Sequence, residues 1–570
     1  MNDYLHGAYG RIQAVGNRVA DESQGVIVYI GTAPVHNVAL ASGESYPVNR
    51  PVLVNNIAEA RKYFGYSEDW AKYTLCEAMH VHLENKGVGP LVLINVLDPQ
   101  KHVMTEAATE SKTPSDGAIT LSNASLIDVS TITVGTKVQG TDYTVTVNNA
   151  DDTVVIAEKT SGGLGSAALT VTYQKRQKST VSLTPSNNSM SIASAGDIIL
   201  ESIEVKTQDT TPVTKVKGTD YTVSYNSTKQ VVTITGITNL GNAALTVTYS
   251  TIDATKVDAD DVIGSTDGLG LNTGLFAVQN VYQETGRIPA YLAAPGFSSI
   301  PAVHSVMRAN SVKVNGHWDA YMFVDLPLVD GTGSQITMAT ARTWKAANGY
   351  THENETVYFP MAKGIDGNKY HLSVLSAANF QELLLEQNGI PYNTASNTEC
   401  AMIENLYLGE EYTGRVYDDK IINENLNKYG IASAAYVGGR WAIWGCHSAD
   451  YNQTNGDQIN VAETNRMMLY YISNDFQHRR TGDVDKPMSN NDLQTIIAEE
   501  QTRLDALLKI GALIYGVVSM NAQLSDKSDI MRGDYTFMFD ITTTPLAKSL
   551  TAIVNWTDDG FVTYFETAAA

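Results

Sequence analysis

Residues 25–34 read GVIVYIGTAP, and this stretch decides the fold class. Residues 26–30 are apolar without a break, and Gly31 and Pro34 end the run. A strand with one face in water alternates apolar and polar residues, whereas a strand covered on both faces carries a continuous apolar run. Residues 91–97 show the same pattern. Both stretches therefore predict strands of a layered sheet that is covered on its two faces.

Strands and helices alternate on both sides of a long central segment. Further strands are predicted at residues 51–54, 288–293, 321–326 and 357–361, and helices at residues 56–64, 70–85, 271–283, 299–310, 334–348 and 373–388. Alternation of this kind is typical of a mostly parallel sheet with helices on its faces. We therefore predict one discontinuous α/β domain, over residues 25–104 and 256–449.

The central segment contains an internal repeat. KVQGTDYTV at residues 137–145 matches KVKGTDYTV at residues 215–223, and AALTVTY at residues 167–173 recurs at residues 243–249. Short strands between turns are typical of β-sandwiches. We predict two Ig-like β-sandwich repeats, residues 105–178 and 179–255, inserted into the α/β domain. Tyr143 and Tyr221 follow the Gly-Thr-Asp turns and are predicted core anchors.

The two ends of the chain are predicted to differ from the centre. Residues 450–570 are predicted as an α+β domain, in which Ser489 and Asp492 begin a helix and residues 537–541 and 550–556 form strands. Residues 1–24 and the last strand are predicted as extended arms that pair with neighbouring subunits. The apolar residues proposed for this pairing are Tyr4, Leu5, Tyr9, Ile12, Val15, Phe561, Val562, Tyr564 and Phe565.

Charge and cysteine content exclude several function classes. The net charge is −22, with 61 acidic and 39 basic residues, and no basic run is longer than residues 478–480. Nucleic-acid binding rewards clustered lysine and arginine, so direct binding of nucleic acid is not expected. The 3 cysteines are widely spaced, which argues against a disulfide framework and favours a reducing cytoplasm. A signal peptide is not expected from the N-terminal residues, and membrane insertion is not expected because no apolar run reaches the length of a membrane span.

Candidate catalytic and metal-binding residues are few. Asp325, His304 and His317 could supply a triad, but no Gly-x-Ser-x-Gly turn marks a nucleophile. Cys76, His80 and His82 resemble metal spacing without a fourth ligand, so a half-buried thiol and solvated histidines are expected instead. The acidic pairs 260–261 and 418–419 are interpreted as solvated loops. No enzyme activity, cofactor or metal is predicted.

Several motifs together resemble a known family. They are GVIVYIGTAP at residues 25–34, PVLVN at 51–55 with YFG at 63–65, LNKYGI at 426–431 with GRWAIWG at 439–445, NRM at 465–467, and TTPLA at 543–547. Their order and spacing resemble the tail sheath proteins of contractile phages and of phage-tail-like bacteriocin particles. The resemblance covers about three quarters of the chain and excludes the repeats. The sequence departs from it at residues 446–448, where the family has an Arg-Thr pair.

The resemblance implies a fold and a mechanism. The α/β domain would be subtilisin-like, and the chain would form six-fold rings stacked around a tail tube in the virion tail, after synthesis and assembly in the host bacterial cytoplasm. Terminal arms would complete a β-sheet in neighbouring copies. Contraction would drive the tube through the target cell envelope. The implied partners are further copies of the chain, the tail tube protein, and baseplate and tail terminator proteins.

The repeats leave one alternative open. Ig-like modules also occur in cell-surface or virion adhesins, which bind glycans through loops at one end of the module. The turns of the repeats contain no aromatic cluster, so the interpretation of the repeats as outward decoration is favoured.

Overall fold

The computed structural model describes residues 18–19, 25–41, 43–410, 419–452, 459–520, 527–559 and 561. The chain forms two compact units, Met1–Gly482 and Asp483–Ala570. The division falls after Gly482, whereas the sequence placed the start of the last domain at residue 450. No helix of the described residues combines the length and the apolar character needed to cross a membrane.

The first unit begins with the N-terminal part of an α/β domain. Its elements are β1 (Arg18–Val19), β2 (Val26–Gly31), β3 (Val52–Val54), α1 (Ile57–Phe64), α2 (Thr74–Ala78), β4 (Val88–Gly89) and β5 (Leu91–Asn95). The helix predicted at residues 70–85 starts later, as α2, and continues as a π-helix, Met79–Lys86, that ends at left-handed Gly87. The apolar face predicted for this helix is confirmed, since Trp70, Cys76 and Leu83 are all buried.

Two β-modules follow, each built from two antiparallel sheets. The first contains β6 (Thr105–Lys112), β7 (Ala118–Ser122), β8 (Ile127–Val134), β9 (Tyr143–Asn148), β10 (Thr153–Glu158) and β11 (Leu169–Arg176). The second contains β12 (Lys178–Leu183), β13 (Ser189–Ile192), β14 (Glu204–Thr207), β15 (Thr214–Lys215), β16 (Tyr221–Asn226), β17 (Val231–Gly236) and β18 (Leu245–Ser250). The sheet orders are β7-β10-β9 and β6-β11-β8 in the first module, and β13-β17-β16 and β12-β18-β14-β15 in the second. The sequence repeat is therefore a repeat of topology, and each module has its own hydrophobic cluster.

The Gly-Thr-Asp-Tyr turns have the same geometry in both modules. The Asp142 carboxylate accepts the N–H of Val138 at 2.8 Å, and Asp220 accepts that of Val216 at 2.7 Å. The glycine of each turn has a positive φ, which a residue with a Cβ adopts at a cost. Tyr143 and Tyr221 are buried and donate their hydroxyls to the carbonyls of Ile132 and Ile203. The prediction of two tyrosine core anchors is confirmed.

The α/β domain resumes after the modules. Its remaining elements are α3 (Ala259–Ile263), α4 (Val281–Thr285), β19 (Pro289–Ala293), α5 (Pro301–Ala309), β20 (Tyr321–Asp325), α6 (Ala341–Ala347), β21 (Glu355–Tyr358), β22 (Met361–Gly364), β23 (Lys369–Tyr370), α7 (Leu372–Glu386), β24 (Ile403–Tyr407), α8 (Asp419–Asn425), β25 (Ile431–Val437), β26 (Arg440–Trp444) and α9 (Glu463–Arg480). The helix predicted at residues 271–283 is a 3₁₀-helix, Gly274–Asn280, continued by α4, and the helix predicted at residues 334–348 is shortened to α6. Ser334 is not helical because it closes a turn on the carboxylate of Asp330 at 2.9 Å.

An eight-stranded sheet organises the first unit, in the order β26-β25-β21-β20-β19-β2-β5-β3. Its six central strands are parallel, and the two edge strands, β26 and β3, are antiparallel to their neighbours. Every residue of β2 is buried. The predicted layered, mostly parallel sheet is confirmed.

Helix α9 belongs to the first unit, although the sequence assigned it to the last domain. At its first residue the buried Glu463 accepts the hydroxyls of Thr356, on β21, at 2.5 Å and of Thr394 at 2.6 Å. Near its other end the Asn474 amide exchanges hydrogen bonds with the backbone of Asp319, at 3.0 and 2.8 Å. These buried polar contacts, which apolar periodicity does not reveal, attach α9 to the parallel sheet.

The second unit contains α10 (Asn490–Lys509), β27 (Leu513–Met520), α11 (Lys527–Arg532) and β28 (Phe537–Thr543). The predicted capping box is confirmed, because Ser489 accepts the N–H of Asp492 and Asp492 accepts that of Ser489. Strands β27 and β28 pair antiparallel. The strand predicted at residues 550–556 is wrong for the single chain, since no described residue pairs with this segment and Leu550 is 92% exposed.

The β-modules leave and re-enter the α/β domain at one point. Val103 pairs antiparallel with Ile252, and the N–H of Met104 donates to the carbonyl of Thr251 at 2.7 Å. We predict that replacing residues 105–250 with a two-residue link leaves the α/β domain folded. The deletion removes the hydrogen bonds that the α/β domain makes to the modules, among them those of His36 and Asn37 to Gly196, of Leu40 to Glu201 and of Arg176 to Gln100. Because several of these bonds are solvent-exposed, the melting temperature should fall by less than about 5 °C.

Calorimetry and far-ultraviolet circular dichroism of this deletion variant test the prediction. A shorter deletion of residues 105–176 alone is the matched control, because it keeps the second module and its hydrogen bonds. An insoluble or unfolded deletion variant would show that the modules belong to the core.

Candidate assembly surfaces and buried polar clusters

The three candidate triad residues do not come together. The carboxylate of Asp325 accepts the N–H of Ser373 at 3.1 Å and its hydroxyl at 2.5 Å. The Nε2 of His304 pairs with Glu355 at 2.6 Å, and its ring stacks on Tyr350. His317 lies exposed at the surface. Each of these side chains has different partners. Asp325 binds Ser373 and His304 binds Glu355, so the three residues do not form a triad.

The candidate metal residues are also separated. Cys76 is fully buried, and burial raises the pKa of its thiol to about 12. His82 is buried too, contrary to the expectation of a solvated histidine, because the π-helix faces it towards the sheet. Its Nε2 accepts the hydroxyl of Tyr29 at 2.7 Å and its Nδ1 donates to Gln381 at 2.6 Å. No cluster of metal-ligating side chains occurs among the described residues.

One residue of the acidic pair at 260–261, Asp261, has a structural role, contrary to the interpretation of the pair as a solvated loop. Asp261 accepts the N–H of Asp258 in the capping box of α3 and pairs with Lys101 and with His102, the latter at 3.0 Å. Burial alone would raise the pKa of the Asp261 carboxyl, yet its bonds to His102 and Lys101 hold it at about 2. Asp261 thus fastens α3 to the segment that leads into the β-modules, whereas Asp260 is exposed, as expected. Residue 418 of the other pair lies outside the described residues, as does the side chain of residue 419.

The carboxyl edge of the parallel sheet is closed by a buried charged cluster. Open α/β sheets bind ligands at this edge. Here Glu77 accepts the Nδ1 proton of His371 at 2.7 Å and its backbone N–H at 2.6 Å, and the Asp325–Ser373 pair lies beside them. Burial alone would lower the pKa of His371, but the charges of Glu77 and Asp325 raise it to about 9. Charged side chains that satisfy one another occupy the place where a ligand would bind.

A second polar contact holds the second β-module against the α/β domain. The Gly196 carbonyl accepts the Nε2 proton of His36 and the amide of Asn37, both at 2.9 Å. Glu201 accepts the N–H of Leu40 at 3.1 Å. His36 is fully buried, and burial lowers its pKa to about 4. The junction therefore depends on a neutral imidazole.

Most of the predicted arm residues lie outside the described residues: Tyr4, Leu5, Tyr9, Ile12, Val15, Val562, Tyr564 and Phe565. Phe561 is described and is 56% exposed. The end of the N-terminal segment is described as well, because β1 pairs in parallel with β4.

The second unit exposes apolar side chains on two segments. On β27, Ile514 is 61% exposed, Tyr515 51% and Val517 39%. Beyond β28, Ile553, Val554 and Trp556 are 81–90% exposed. Exposed apolar groups in contiguous patches mark interaction surfaces. The sequence analysis missed β27, although its apolar run, residues 512–518, is interrupted only by Gly516 and resembles the signal that identified β2.

The segment at which the sequence departs from the sheath motif lies within the first unit. Ser448 is fully buried, and the His447 ring stacks on Tyr451 with their centroids 3.7 Å apart. The N–H of Ala449 donates to the carbonyl of Glu355 at 2.8 Å. This segment therefore packs against β21.

Comparisons with known proteins point to one class. The chain is 23% identical over 572 residues to the tail sheath protein of Burkholderia phage BcepMu, covering 96% of both chains. No family model matches the chain. Solved structures that match the chain include a sheath tail protein from Desulfitobacterium hafniense, with a TM-score of 0.43 at 9% identity over 94% of this chain and 100% of that one. Another is a sheath tail protein from Listeria innocua, with a TM-score of 0.41 at 12% identity over 92% of this chain and 97% of that one.

The motif-based resemblance to contractile tail sheath proteins is confirmed by the phage relative, which matches this chain almost from end to end.

The Glu77–His371 pair should stabilise the first unit in a pH-dependent way. We expect His371→Gln to lower the free energy of unfolding by about 3–5 kcal/mol near neutral pH, because it leaves the Glu77 carboxylate buried without a cation. The pKa of His371 is raised when folded, so its contribution is complete below about pH 6.5 and is lost as the pH rises through about 9.

Urea unfolding of the wild type and the variant at several pH values measures this difference. The double variant Glu77→Gln/His371→Gln is the control and should recover most of the loss. A constant difference between pH 6 and 10 would contradict the assignment.

The His36 junction should respond to acid. The pKa of His36 is lowered when folded, so its contribution is complete above about pH 6.5 and is lost as the pH falls through about 4, by about 3 kcal/mol in all. We expect His36→Gln, which keeps a donor for Gly196 without a titrating group, to flatten the loss of stability over this range. Asn37→Ala, which removes the other donor to Gly196 but no titrating group, is the control and should keep the acid-dependent loss. Chemical unfolding between pH 7 and 4 provides the test, and identical profiles for the wild type and His36→Gln would overturn it.

Proposed function

We propose that the chain is a structural, non-catalytic subunit of a contractile tail sheath. In this proposal it polymerises as stacked six-fold rings around a tail tube and contracts to drive the tube through the envelope of a target cell. The observation that carries the proposal is the similarity to a phage tail sheath protein over 96% of both chains. Its partners would be further copies of the chain, the tail tube protein, and baseplate and terminator proteins. It would be assembled in the host bacterial cytoplasm and reside in the virion tail.

The second unit supports a polymerising role. A segment rich in strand-forming residues, 549–556, belongs to no helix or strand and has its large side chains in water. Such a segment gains stability by adding to a sheet in another molecule, because main-chain hydrogen bonds form and apolar side chains are buried together. The predicted arms at residues 1–24 and 561–565 would act in the same way. Together these terminal segments would link each subunit to its neighbours.

The energy for contraction would reside in the assembled lattice. A sheath of many identical interfaces with two discrete packings releases a large summed free energy even when each interface changes by a small amount. This account requires no nucleotide and no catalytic site. The filled carboxyl edge of the parallel sheet, with Glu77 and His371 paired at 2.7 Å, is compatible with such a role.

The two β-modules would be Ig-like decorations of the sheath surface. The chain leaves and re-enters the α/β domain beside the Val103–Ile252 bridge, which supports this assignment because the parallel sheet continues on either side of the insertion. The glycan-binding alternative lacks a supporting observation. The large apolar side chains exposed on the described modules are aliphatic, namely Val138, Val147, Val213, Val216 and Ile237. Glycan sites usually present aromatic faces.

The terminal segment should be required for assembly. We expect the wild type to form tubes or stacked rings by negative-stain electron microscopy. We expect Val554→Asp/Trp556→Asp to remain a folded monomer, because two buried and unpaired charges would outweigh the gain of strand pairing. Ile237→Asp, at an exposed aliphatic residue of the second module, is the matched control and should assemble normally.

Sedimentation velocity over a range of protein concentrations quantifies the difference. Normal tubes from the double aspartate variant would exclude this segment from the interface. A wild-type chain that stays monomeric at every concentration, with and without its tail tube, would contradict the proposed function.

A further inference from the structure

One side chain of the second unit occupies a strand edge. Gln501, on α10, donates its amide to the carbonyl of Gly516 at 3.1 Å, and its amide oxygen accepts the N–H of Val518 at 3.0 Å. Both partners are backbone groups of β27. Backbone groups of a strand alternate between its two edges, and the carbonyl of one residue lies on the same edge as the N–H two residues later. The Gly516 carbonyl and the Val518 N–H therefore share one edge of β27. Since both bind Gln501, this edge is the one opposite β28. Gln501 therefore takes the place of a third strand.

The position of the Gln501 side chain is fixed by further contacts. Its amide also donates to Asp505, one helical turn along α10, at 2.9 Å. Leu504 packs against Gly516, whose missing side chain lets the helix approach the strand. Gln501 is thus held on the edge from the helix side, with donor and acceptor both satisfied. A carboxamide suits this place because it presents the same two groups as a peptide bond.

An exposed strand edge pairs readily with other chains, and proteins protect such edges in several ways. The protection on β27 is reversible, since it consists of one side chain with rotatable bonds. The same strand carries exposed Tyr515 and Val517, which would be covered by the side chains of an added strand. Residues 549–556 of the same unit supply a segment of strand-forming residues that has no pairing partner among the described residues and whose large apolar side chains are exposed.

We propose that Gln501 is a removable plug on the β27 edge, displaced when the segment at residues 549–556 of a second copy adds to this edge. The inference rests on the proposed function and specifies how its strand pairing is controlled. The added strand would form hydrogen bonds with Gly516 and Val518 in exchange for those of Gln501. The Gln501 amide would then turn to solvent or to Asp505. The plug suppresses pairing between free subunits and lets it proceed where neighbouring contacts already hold the strand in place.

Peptide binding to the monomer tests the plug directly. A fluorescein-labelled peptide of residues 548–558 is titrated into the full-length protein, at concentrations where sedimentation shows a monomer, and anisotropy is recorded. We expect Gln501→Ala to bind the peptide about tenfold more tightly than the wild type, because no hydrogen bonds of the plug must be broken first. Gln494→Ala, an exposed glutamine on the same helix, should bind like the wild type. Equal affinities of the wild type and Gln501→Ala, or no binding to either, would overturn the proposal.

A second variant guards against effects on folding. Gln501→Met keeps the length and the helical preference of the side chain while removing both hydrogen bonds. It should bind as tightly as Gln501→Ala and melt close to the wild type. In assembly followed by light scattering, both variants should show a lag several times shorter than the wild type. The peptide assay uses monomers, so it tests the role of Gln501 even if no tubes form. The absence of tubes alone would contradict only the proposed function.

Discussion

The first unit depends on the burial of β2 on both faces and along its whole length. The strand lies between β19 and β5 in the sheet, and none of its six residues is exposed. Parallel neighbours cannot be joined by tight turns, so each connection must cross a face of the sheet. The connection from β5 to β19 passes over β2, and it carries both β-modules. The insertion is tolerated because the two ends of the inserted segment pair with each other at Val103 and Ile252. The chain therefore leaves and re-enters the α/β domain at neighbouring points.

Two fully buried histidines and one that is largely buried show how local chemistry decides the effect of burial on a pKa. His36 meets a backbone carbonyl and His82 meets a hydroxyl and an amide, so burial dominates and lowers both pKa values, to about 4 and about 3. The His371 side chain is largely buried, at 17% exposure, but the carboxylates of Glu77 and Asp325 raise its pKa instead. Acid therefore weakens the attachment of the β-modules, whereas alkali weakens the carboxyl edge of the sheet. The His36–Gly196 contact and the Glu77–His371 pair therefore have opposite pH dependence.

Apolar patterns in the sequence predicted the elements whose environment is set by burial. The run at residues 26–30 identified the centre of the sheet, and the repeated Gly-Thr-Asp-Tyr turns identified the tyrosine anchors, because both signals are local. The attachment of α9 was missed, since it depends on buried Glu463 and Asn474, which meet residues more than 100 positions away. The inward orientation of His82 was missed because a π-helix shifts the side-chain periodicity. The role of Gln501 depends on a strand edge that no sequence pattern reveals.

Strand addition by residues 549–556 depends on two opposing free energies, the loss of backbone entropy and the burial of apolar side chains. Ordering about eight residues into a strand costs about 1–2 kcal/mol of backbone entropy per residue. Burying a large apolar side chain returns about 1.5–3 kcal/mol, and residues 549–556 contain four of them: Leu550, Ile553, Val554 and Trp556. One strand addition is therefore marginal, and a plug such as Gln501 makes it unfavourable between two free subunits. In the proposed sheath several terminal segments bind together, so the later ones act at a high effective concentration. Growth at the end of an existing ring is then favoured over pairing in solution, which is the behaviour that an ordered tube requires.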